Sequence, residues 1–297
     1  MRRLEPGIVQ DLAPGLRGIL APNPGPMTHW GTNTFLVGER DIAVIDPGPD
    51  NADHVNAILN AAQGARITHI LVTHAHLDHS PLARRLAART GAPVLGFGRA
   101  DAGRKPVMER LVAQGLAGGG EGVDFDFAPD RTLAEGDRVT GADWALDVLQ
   151  TPGHFAGHLA FRFGDLLLSG DHVMDWSSSL VSPPDGDLAD FMTTSRRLRD
   201  LAGVTFYPAH GGPILDPAER LGWLIAHREA REAAILNVLG PEPISIPALT
   251  RTVYTDIPAA MLPAAERNVF AHLIDLAERN LAAATPGLGL AARYHRA

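Results

Sequence analysis

The stretch ILVTHAHLDHSPLARRLAART, residues 70–90, decides how this chain is read. An apolar run, Ile70 to Val72, is followed within six positions by His74, His76, Asp78 and His79. The segment ITHILVTH (67–74) is rich in β-branched residues and predicts a buried strand. PLARRLAART (81–90) predicts a helix, with Pro81 tolerated in its first turn. The titratable cluster therefore falls where a strand hands over to a helix. His74 and His76, two apart on extended or loop backbone, point to one side. Asp78 and His79 follow where the helix is expected to start. Such crowding makes sense around a cation or a pair of cations, and binding sites in α/β folds gather at strand ends.

Outward from this stretch the pattern alternates. TFLVGERDIAVID (34–46) predicts a hairpin that ends at Asp46-Pro47-Gly48. NADHVNAILNAAQ (51–63) has Val55, Ile58 and Leu59 at helical spacing, and APVLGF (92–97) is a short strand. Strand and helix in alternation predict an α/β layered fold. Residues 98–130 are Gly-rich and are expected to form an irregular surface insertion or lid. Strands return at WALDVLQ (144–150), LAFRFG (159–164), DLLLSGD (165–171) and VTFYPAH (204–210), with a helix at DLADFMTTSRRLRDL (187–201).

Then the texture changes. DPAERLGWLIAHREAREAAILNVL (216–239) predicts a long helix with Asp216 as N-cap and Pro217 at its first position. GPEP breaks it, and IPALTRTVY and LPAAERNVFAHLIDLAERNLAAA predict two more helices. The expected division is a large domain over 1–239, including the connecting helix 216–239, and a small, mostly helical winged-helix-like domain over 240–297.

With 45% hydrophobic and 20% charged residues, the 297-residue chain can bury a real core. It contains no apolar run of about 18 residues, so no membrane span is expected. Its first residues carry no apolar stretch of the secretory kind, and a cytoplasmic location is the expectation. Cysteine is absent, which excludes disulfides, thiolate nucleophiles and Cys-ligated zinc. Any metal must be held by imidazole and carboxylate. The net charge of −8 gives no global attraction for polyanions.

Two ions about 3.5–4 Å apart need more ligands than one cluster of four can offer. Three further strand-to-loop junctions supply them: TPGHFAGH has His154, LLLSGDHV has Asp171 and FYPAHGGP has His210. Imidazole and carboxylate suit Zn, Mn or Fe.

Taken in order, THAHLDH, TPGH, SGD and PAHG resemble the metallo-β-lactamase superfamily, over roughly residues 28–215. The resemblance implies a four-layer αββα sandwich with metals at one edge. It implies His74, His76 and His154 on one ion, Asp78, His79 and His210 on the other, and Asp171 bridging. Two Zn(2+) per chain are expected, with Mn or Fe as alternatives. His76 stands where the diiron flavoproteins of the superfamily have Glu, which favours a hydrolytic zinc site. Asp171 stands where the main class of zinc β-lactamases has Cys, which argues against antibiotic hydrolysis.

NPGPMTHWGTNTFLVG, YPAHGGPILDPAERLGWLIAHREAREAAIL and the helical tail together resemble the lactamase-β-like, endoribonuclease-like subfamily with its C-terminal winged helix. Its best-known eukaryotic member is a mitochondrial endoribonuclease acting on single-stranded RNA, although residues 172–191 depart from that member. The implied chemistry is attack by a metal-bridging hydroxide on a carbonyl or phosphorus, with Asp78 as the catalytic residue that orients it and shuttles a proton. The expected function is a dinuclear zinc hydrolase acting on an ester-type bond. A phosphodiester of single-stranded RNA is one version. A thioester or lactone hydrolase of glyoxalase II type, which shares THAHLDH and TPGHFAGH, is the alternative. A non-catalytic nucleic-acid-binding or scaffold protein is the third reading, and the tail could equally make a homodimer.

Around the ligands, Asp46 is expected to order its loop behind the site, and His158 to hydrogen-bond near the metals. Trp30, Asn33 and Trp176 are expected to border the pocket. His69 is read as a core or site-supporting residue and His172 as packing. His54, His227, His272 and His295 are read as ordinary helix or tail residues. Specificity is expected from segments 20–33, 98–130 and 172–191.

Overall fold

The computed structural model describes residues 3–118, 122–201 and 203–297. Seven strands form the first sheet in chain order: β1 (Gln10–Ala13), β2 (Leu16–Leu20), β3 (Asn33–Val37), β4 (Asp41–Ile45), β5 (Arg66–Leu71), β6 (Val94–Gly96) and β7 (Arg131–Thr132). Five strands form the second: β8 (Arg138–Thr140), β9 (Ala145–Gln150), β10 (Leu159–Phe163), β11 (Leu166–Gly170) and β12 (Thr205–Pro208). The first sheet is antiparallel up to β4 and parallel from β4 to β7, and β11 runs parallel to β12.

Side-chain alternation builds the layers. On β4, Ile42 and Val44 face α1 (Ala52–Ala61) and α2 (Leu82–Thr90), packing with Val55, Ile58, Leu82 and Leu86. The intervening Ala43 and Ile45 face the second sheet and meet Leu146, Val148, Phe161 and Leu168. A strand buried on both faces reads as a continuous apolar run, which is why Ile42 to Ile45 show no polar alternation. On the far side, α4 (Leu188–Arg199) and α5 (Pro217–Val238) cover the second sheet through Leu198, Leu221 and Leu224 against Leu167 and Phe206. The result is the αββα sandwich. Local chemistry sets the helix ends: Asn51, Asp187 and Asp216 cap their helices by accepting from backbone N–H groups of the first turn, and Gly91 closes α2 in the left-handed conformation.

The chain then forms α6 (Ile246–Val253), α7 (Leu262–Glu278) and a small sheet of β13 (Ile244–Ser245), β14 (Ala282–Thr285) and β15 (Arg293–Arg296), in the order β13-β15-β14. The last predicted helix is therefore shorter than expected. Residues 282–285 pair with β15 as the wing, and period alone could not separate an alanine-rich strand from a helix end.

The Gly-rich segment is a second correction. It contains α3 (Pro106–Ala113), whose Val107, Met108 and Leu111 lie in one apolar core with Ile235, Leu249, Phe270 and Leu273 of the C-terminal helices. Residues 122–124 run beside the histidine-bearing loop, with Leu77 N–H donating to Gly122 O at 2.8 Å and Asp124 N–H to Ala75 O at 2.9 Å. Positions 119–121 of that stretch lie outside the described residues. The sequence reading also assigned no secondary structure before residue 34, where β1 and β2 form. Gly15 turns the chain between them and Gly18 interrupts the side-chain pattern of β2, which hides the strand signal.

His54 is not an ordinary helix residue. It is buried, its Nε2 lies 2.8 Å from Thr34 Oγ1, and burial pushes its pKa down to about 4. The unfolded chain takes up this proton near 6.5, so the native state binds fewer protons between these values and stability falls as pH drops through that window. A proton bound at about 4 rather than 6.5 corresponds to about 3 kcal/mol. His54→Asn should flatten the acid side of the stability curve between pH 6.5 and 4, as measured by urea unfolding. An unchanged slope would show that His54 is not the group responsible. Among the other histidines, His272 is also buried, whereas His69 is half-buried edge-on to Trp144 at 5.4 Å and apart from the converging cluster.

Candidate metal centre

Parallel strands bring the titratable groups to one end of the sandwich. Asp46 follows β4, Thr73 and His74 follow β5, Asp171 follows β11 directly, and His210 lies two residues past β12. His154 sits in the turn from β9 to β10. The helix begins at Leu82, so Asp78 and His79 belong to the loop before it and Pro81 is its N-cap.

The seven groups form two sets that could each hold an ion: His74, His76 and His154, and Asp78, His79, Asp171 and His210. Within each set the candidate ligand atoms lie within 4.8 Å of one another. His74 Nε2 and His154 Nε2 approach His76 Nδ1 at 2.8 and 3.2 Å. In the second set, His210 Nε2 is 3.1 Å from Asp78 Oδ2 and 3.4 Å from Asp171 Oδ2. His79 Nε2 is 3.4 Å from Asp78 Oδ2 and 3.5 Å from Asp171 Oδ2. Asp171 Oδ2 also comes within 3.8 Å of His154 Nε2, so this one oxygen faces both sets.

The rear nitrogens explain why the front ones are free. His154 Nδ1–H donates to Leu180 O at 2.7 Å and His210 Nδ1–H to Gly31 O at 3.0 Å. His79 Nδ1–H donates to Asp46 Oδ2 at 3.1 Å. The Thr73 hydroxyl already donates to Asp46 Oδ2 at 2.8 Å, so it accepts from His74 Nδ1–H at 3.0 Å. Each of these imidazoles thereby commits its Nδ1 as the donor and leaves Nε2 as the nitrogen that turns inward, the one a metal would take.

Asp46 anchors this array. It adopts a left-handed φ of +49°, which is strained for a non-glycine residue, and it accepts from Thr73 through both backbone and side chain. Asp46→Ala should weaken metal binding by about 10–100-fold, the usual cost of removing an outer partner of a ligating imidazole. Zinc competition titration measures this. Unchanged affinity would show that His79 is held without Asp46.

His158 acts one step behind Asp171. The Asp171 N–H donates to His158 Nε2 at 3.1 Å, and His158 Nδ1 lies 2.7 Å from Thr151 Oγ1. Gly170, at φ +52°, makes room for this ring: a Cβ there would come within 2.6 Å of His158 Nε2. Asn33 lines a small cavity with Trp30, Pro208 and Gly211. It donates from Nδ2 to Pro208 O and Gly211 O, both at 3.0 Å, and so braces the turn that carries His210. Trp30 and Trp176 sandwich His29, with ring centroids 4.4 and 4.6 Å away. His172 packs on Phe191 at 4.6 Å.

The donor set fits divalent cations. Burial drives His74 well below the ordinary imidazole value and His76 to about 3, so both are neutral ligands. Burial alone would raise Asp78 and Asp171, but His79 and His210 hold both carboxyls well below their usual range. Burial would likewise lower His79 and His210. The carboxylates outweigh it, raising His79 well above its ordinary value and His210 to about 10. The carboxylates thus draw positive charge from the imidazoles themselves, and a bound cation would supply that charge instead. His79 Nε2, His210 Nε2 and Asp171 Oδ1 are buried without a hydrogen-bond partner. Buried polar atoms are rarely left so, and the two nitrogens both turn toward Asp78 Oδ2 and Asp171 Oδ2.

Sequence reasoning missed the partners that orient the ligands. Thr73 was legible as a polar residue ending an apolar run. The carbonyls of Leu180 and Gly31 left no trace in the sequence, because any residue type supplies the same atom.

Sequence comparison agrees with this geometry. A family model described as the metallo-beta-lactamase superfamily matches residues 27–210, and one described as a beta-lactamase associated winged helix domain matches residues 245–288. The chain belongs to the metallo-β-lactamase superfamily and is a metal-dependent hydrolase. Among its relatives, a beta-lactamase-like protein 2 homolog of Caenorhabditis elegans is 30% identical over 270 residues, 88% of this chain and 83% of that one. The homolog of the same name in Drosophila melanogaster is 29% identical over 272 residues, 87% and 86% of the two chains. The crystal structure of a metallo-beta-lactamase family protein from Thermus thermophilus is 27% identical. It matches with a TM-score of 0.76, over 97% of this chain and all of that one.

Proposed function

We propose that this chain hydrolyses a carboxylic ester or thioester with two zinc ions held by His74, His76 and His154 and by Asp78, His79 and His210, with Asp171 shared. The observation that carries the reading is the placement of Asp171 Oδ2 within 3.8 Å of His154 and 3.4 Å of His210. Zinc bound there would supply hydroxide at neutral pH, since coordination lowers the pKa of water from 15.7 toward about 7, and would polarise the bond under attack.

Asp78 is the most exposed of the carboxylates in the site, its side chain 22% accessible against 9% for Asp171. Its Oδ2 faces His79 and His210, and its other oxygen orients the nucleophile, takes up the proton released on attack and returns it to the leaving group. Asp46 and Thr73 hold the imidazoles still while this happens. Asp171 stays ionised between the two sets.

The charge of the C-terminal unit favours an ester over RNA. Arg279 pairs with Glu232 and Asp275, while Arg267, Arg293 and Arg296 donate to backbone carbonyls. Four of the five arginines of residues 240–297 are thus positioned by the fold rather than by a ligand, and phosphate neutralisation is what gives nucleic-acid binding its strength. Zinc- and manganese-loaded protein should therefore be assayed on p-nitrophenyl acetate, an acyl thioester and a short single-stranded RNA, at rising salt. Ester or thioester turnover that hardly responds to salt is expected. RNA cleavage that falls steeply with salt would replace this reading with the phosphodiester one.

A further inference from the structure

A cleft of about 280 Å³ opens where the sandwich meets the C-terminal unit. Its wall includes Met27, Met174, Leu180, Tyr254, Ile257 and Met261. Three of the chain's six methionines lie here, a soft surface that adapts to flexible apolar groups. Backbone segments that line the cleft also run to the metal centre. Leu180 presents its side chain to the wall while its carbonyl accepts from His154, and Met174 and Trp176 follow Asp171 by three and five residues. Met27 lies four residues before Gly31, whose carbonyl accepts from His210. Segments tied to His154, Asp171 and His210 thus all contribute to one apolar wall.

The wall also carries Ser177, Ser178, His227, Arg231 and Asn268. Arg231 lies with its guanidinium 3.9 Å over the Tyr254 ring and donates to Val253 O, while its Nε is buried without a partner. Asn268 is engaged by Arg228 and by the Val181 N–H. Arg231 thus puts a single cation at one side of an otherwise mostly apolar cleft, where it suits one carboxylate or carbonyl oxygen.

We infer that this cleft holds the acyl chain of the substrate, so that the enzyme prefers esters and thioesters of medium-length apolar acids. The inference rests on the ester reading above and deepens it. The scissile carbonyl lies at the metal centre, and the chain behind it runs between the 172–180 loop and the α6–α7 face.

The test is a p-nitrophenyl ester series from acetyl to hexanoyl on the zinc-loaded protein, with a calorimetric titration of decanoate in parallel. Transfer of each methylene into the cleft should raise kcat/KM by about 4-fold until the cleft is full. Ala264→Phe, which places a ring in the cleft, should erase that gain and abolish decanoate binding, with zinc content and melting temperature as checks on folding. Met261→Ala, at an exposed wall position, should reduce the gain without blocking the cleft. Turnover of the acetyl ester with a flat series, or an equally steep series in Ala264→Phe, overturns the cleft assignment and leaves the hydrolase reading intact. Decanoate binding that Ala264→Phe removes, in a protein that turns over no ester, overturns the hydrolase reading and leaves the cleft as a site for apolar carboxylates.

Discussion

Asp171→Ala protein is expected to lose zinc from at least one of its two sets and to lose hydrolytic activity by on the order of 10³-fold or more, since metal stabilisation of developing charge supplies several kcal/mol. Asp171 is the one carboxylate whose oxygen reaches toward both sets, 3.4 Å from His210 and 3.8 Å from His154. Without it, three imidazoles remain on one side, and Asp78 is the one carboxylate left within the other set, with Asp46 touching only the rear of His79. Asp171→Asn is the sharper variant. It keeps the volume and the backbone N–H bond to His158 at 3.1 Å, and it removes the charge. Zinc content by atomic emission and turnover of p-nitrophenyl acetate should fall together in both variants. If Asp171→Asn kept two ions and full turnover, the shared role of this carboxylate would be excluded.

The second large effect concerns a residue far from the cluster in sequence. Arg228 on α5 is 2% exposed and has no carboxylate partner among its hydrogen bonds. It donates to Asn268 Oδ1 at 2.8 Å and to Ser179 O, and its guanidinium lies 5.2 Å from the centre of the Phe191 ring. Burial pushes its pKa down to about 10, and it stays charged. Truncation to Ala leaves a cavity and two acceptors without this donor, for a loss of roughly 3–5 kcal/mol in chemical unfolding. Arg228→Met fills most of the space and removes a buried charge, so it should cost only about 1–2 kcal/mol. Activity separates the two roles of this residue. Ser179 adjoins Leu180, whose carbonyl orients His154, so Arg228→Met should also weaken zinc binding by about 10-fold. A Met variant with unchanged zinc affinity would reduce Arg228 to a packing residue.

Two further arginines hold loops beside the metal centre in the same way. Arg220 donates to Met174 O at 2.7 Å and to Ser177 O at 2.6 Å. Arg267 donates to Ala117 O and Pro183 O, both at 3.1 Å, and to Gly118 O at 3.2 Å. Together they hold the 172–183 and 116–118 loops, which carry no regular structure to satisfy their own carbonyls. The helices of the C-terminal half thereby set the shape of the loops beside the metal centre. The AHREAR stretch gives no hint that Arg228 turns inward, because Glu232 four residues on makes it look like half of a solvated helix-face pair.

Much of the centre was nevertheless legible. His74, His76, Asp78 and His79 are close in sequence, and the short run to which they belong limits how far apart they can lie. His154, Asp171 and His210 were found because each ends or follows a strand and sits beside Gly or Pro, and the structure brings them to the same place. The Gly-rich 98–130 segment was misread because α3 is only eight residues long and its apolar face is completed by residues of α5, α6 and α7, far along the chain. A short helix stabilised by distant packing has no strong local signal.

By itself, the sequence determined the layered α/β class, the absence of sulfur chemistry and the seven groups that converge. It could do so because strand and helix periodicity are local properties and a metal centre demands particular side-chain types. Only the tertiary structure decided which nitrogen of each histidine faces inward, which atoms of Asp46 and His158 hold their partners, and that a methionine-lined cleft joins the two halves. Those features depend on backbone carbonyls and on contacts between distant segments, which become neighbours only when the chain has folded.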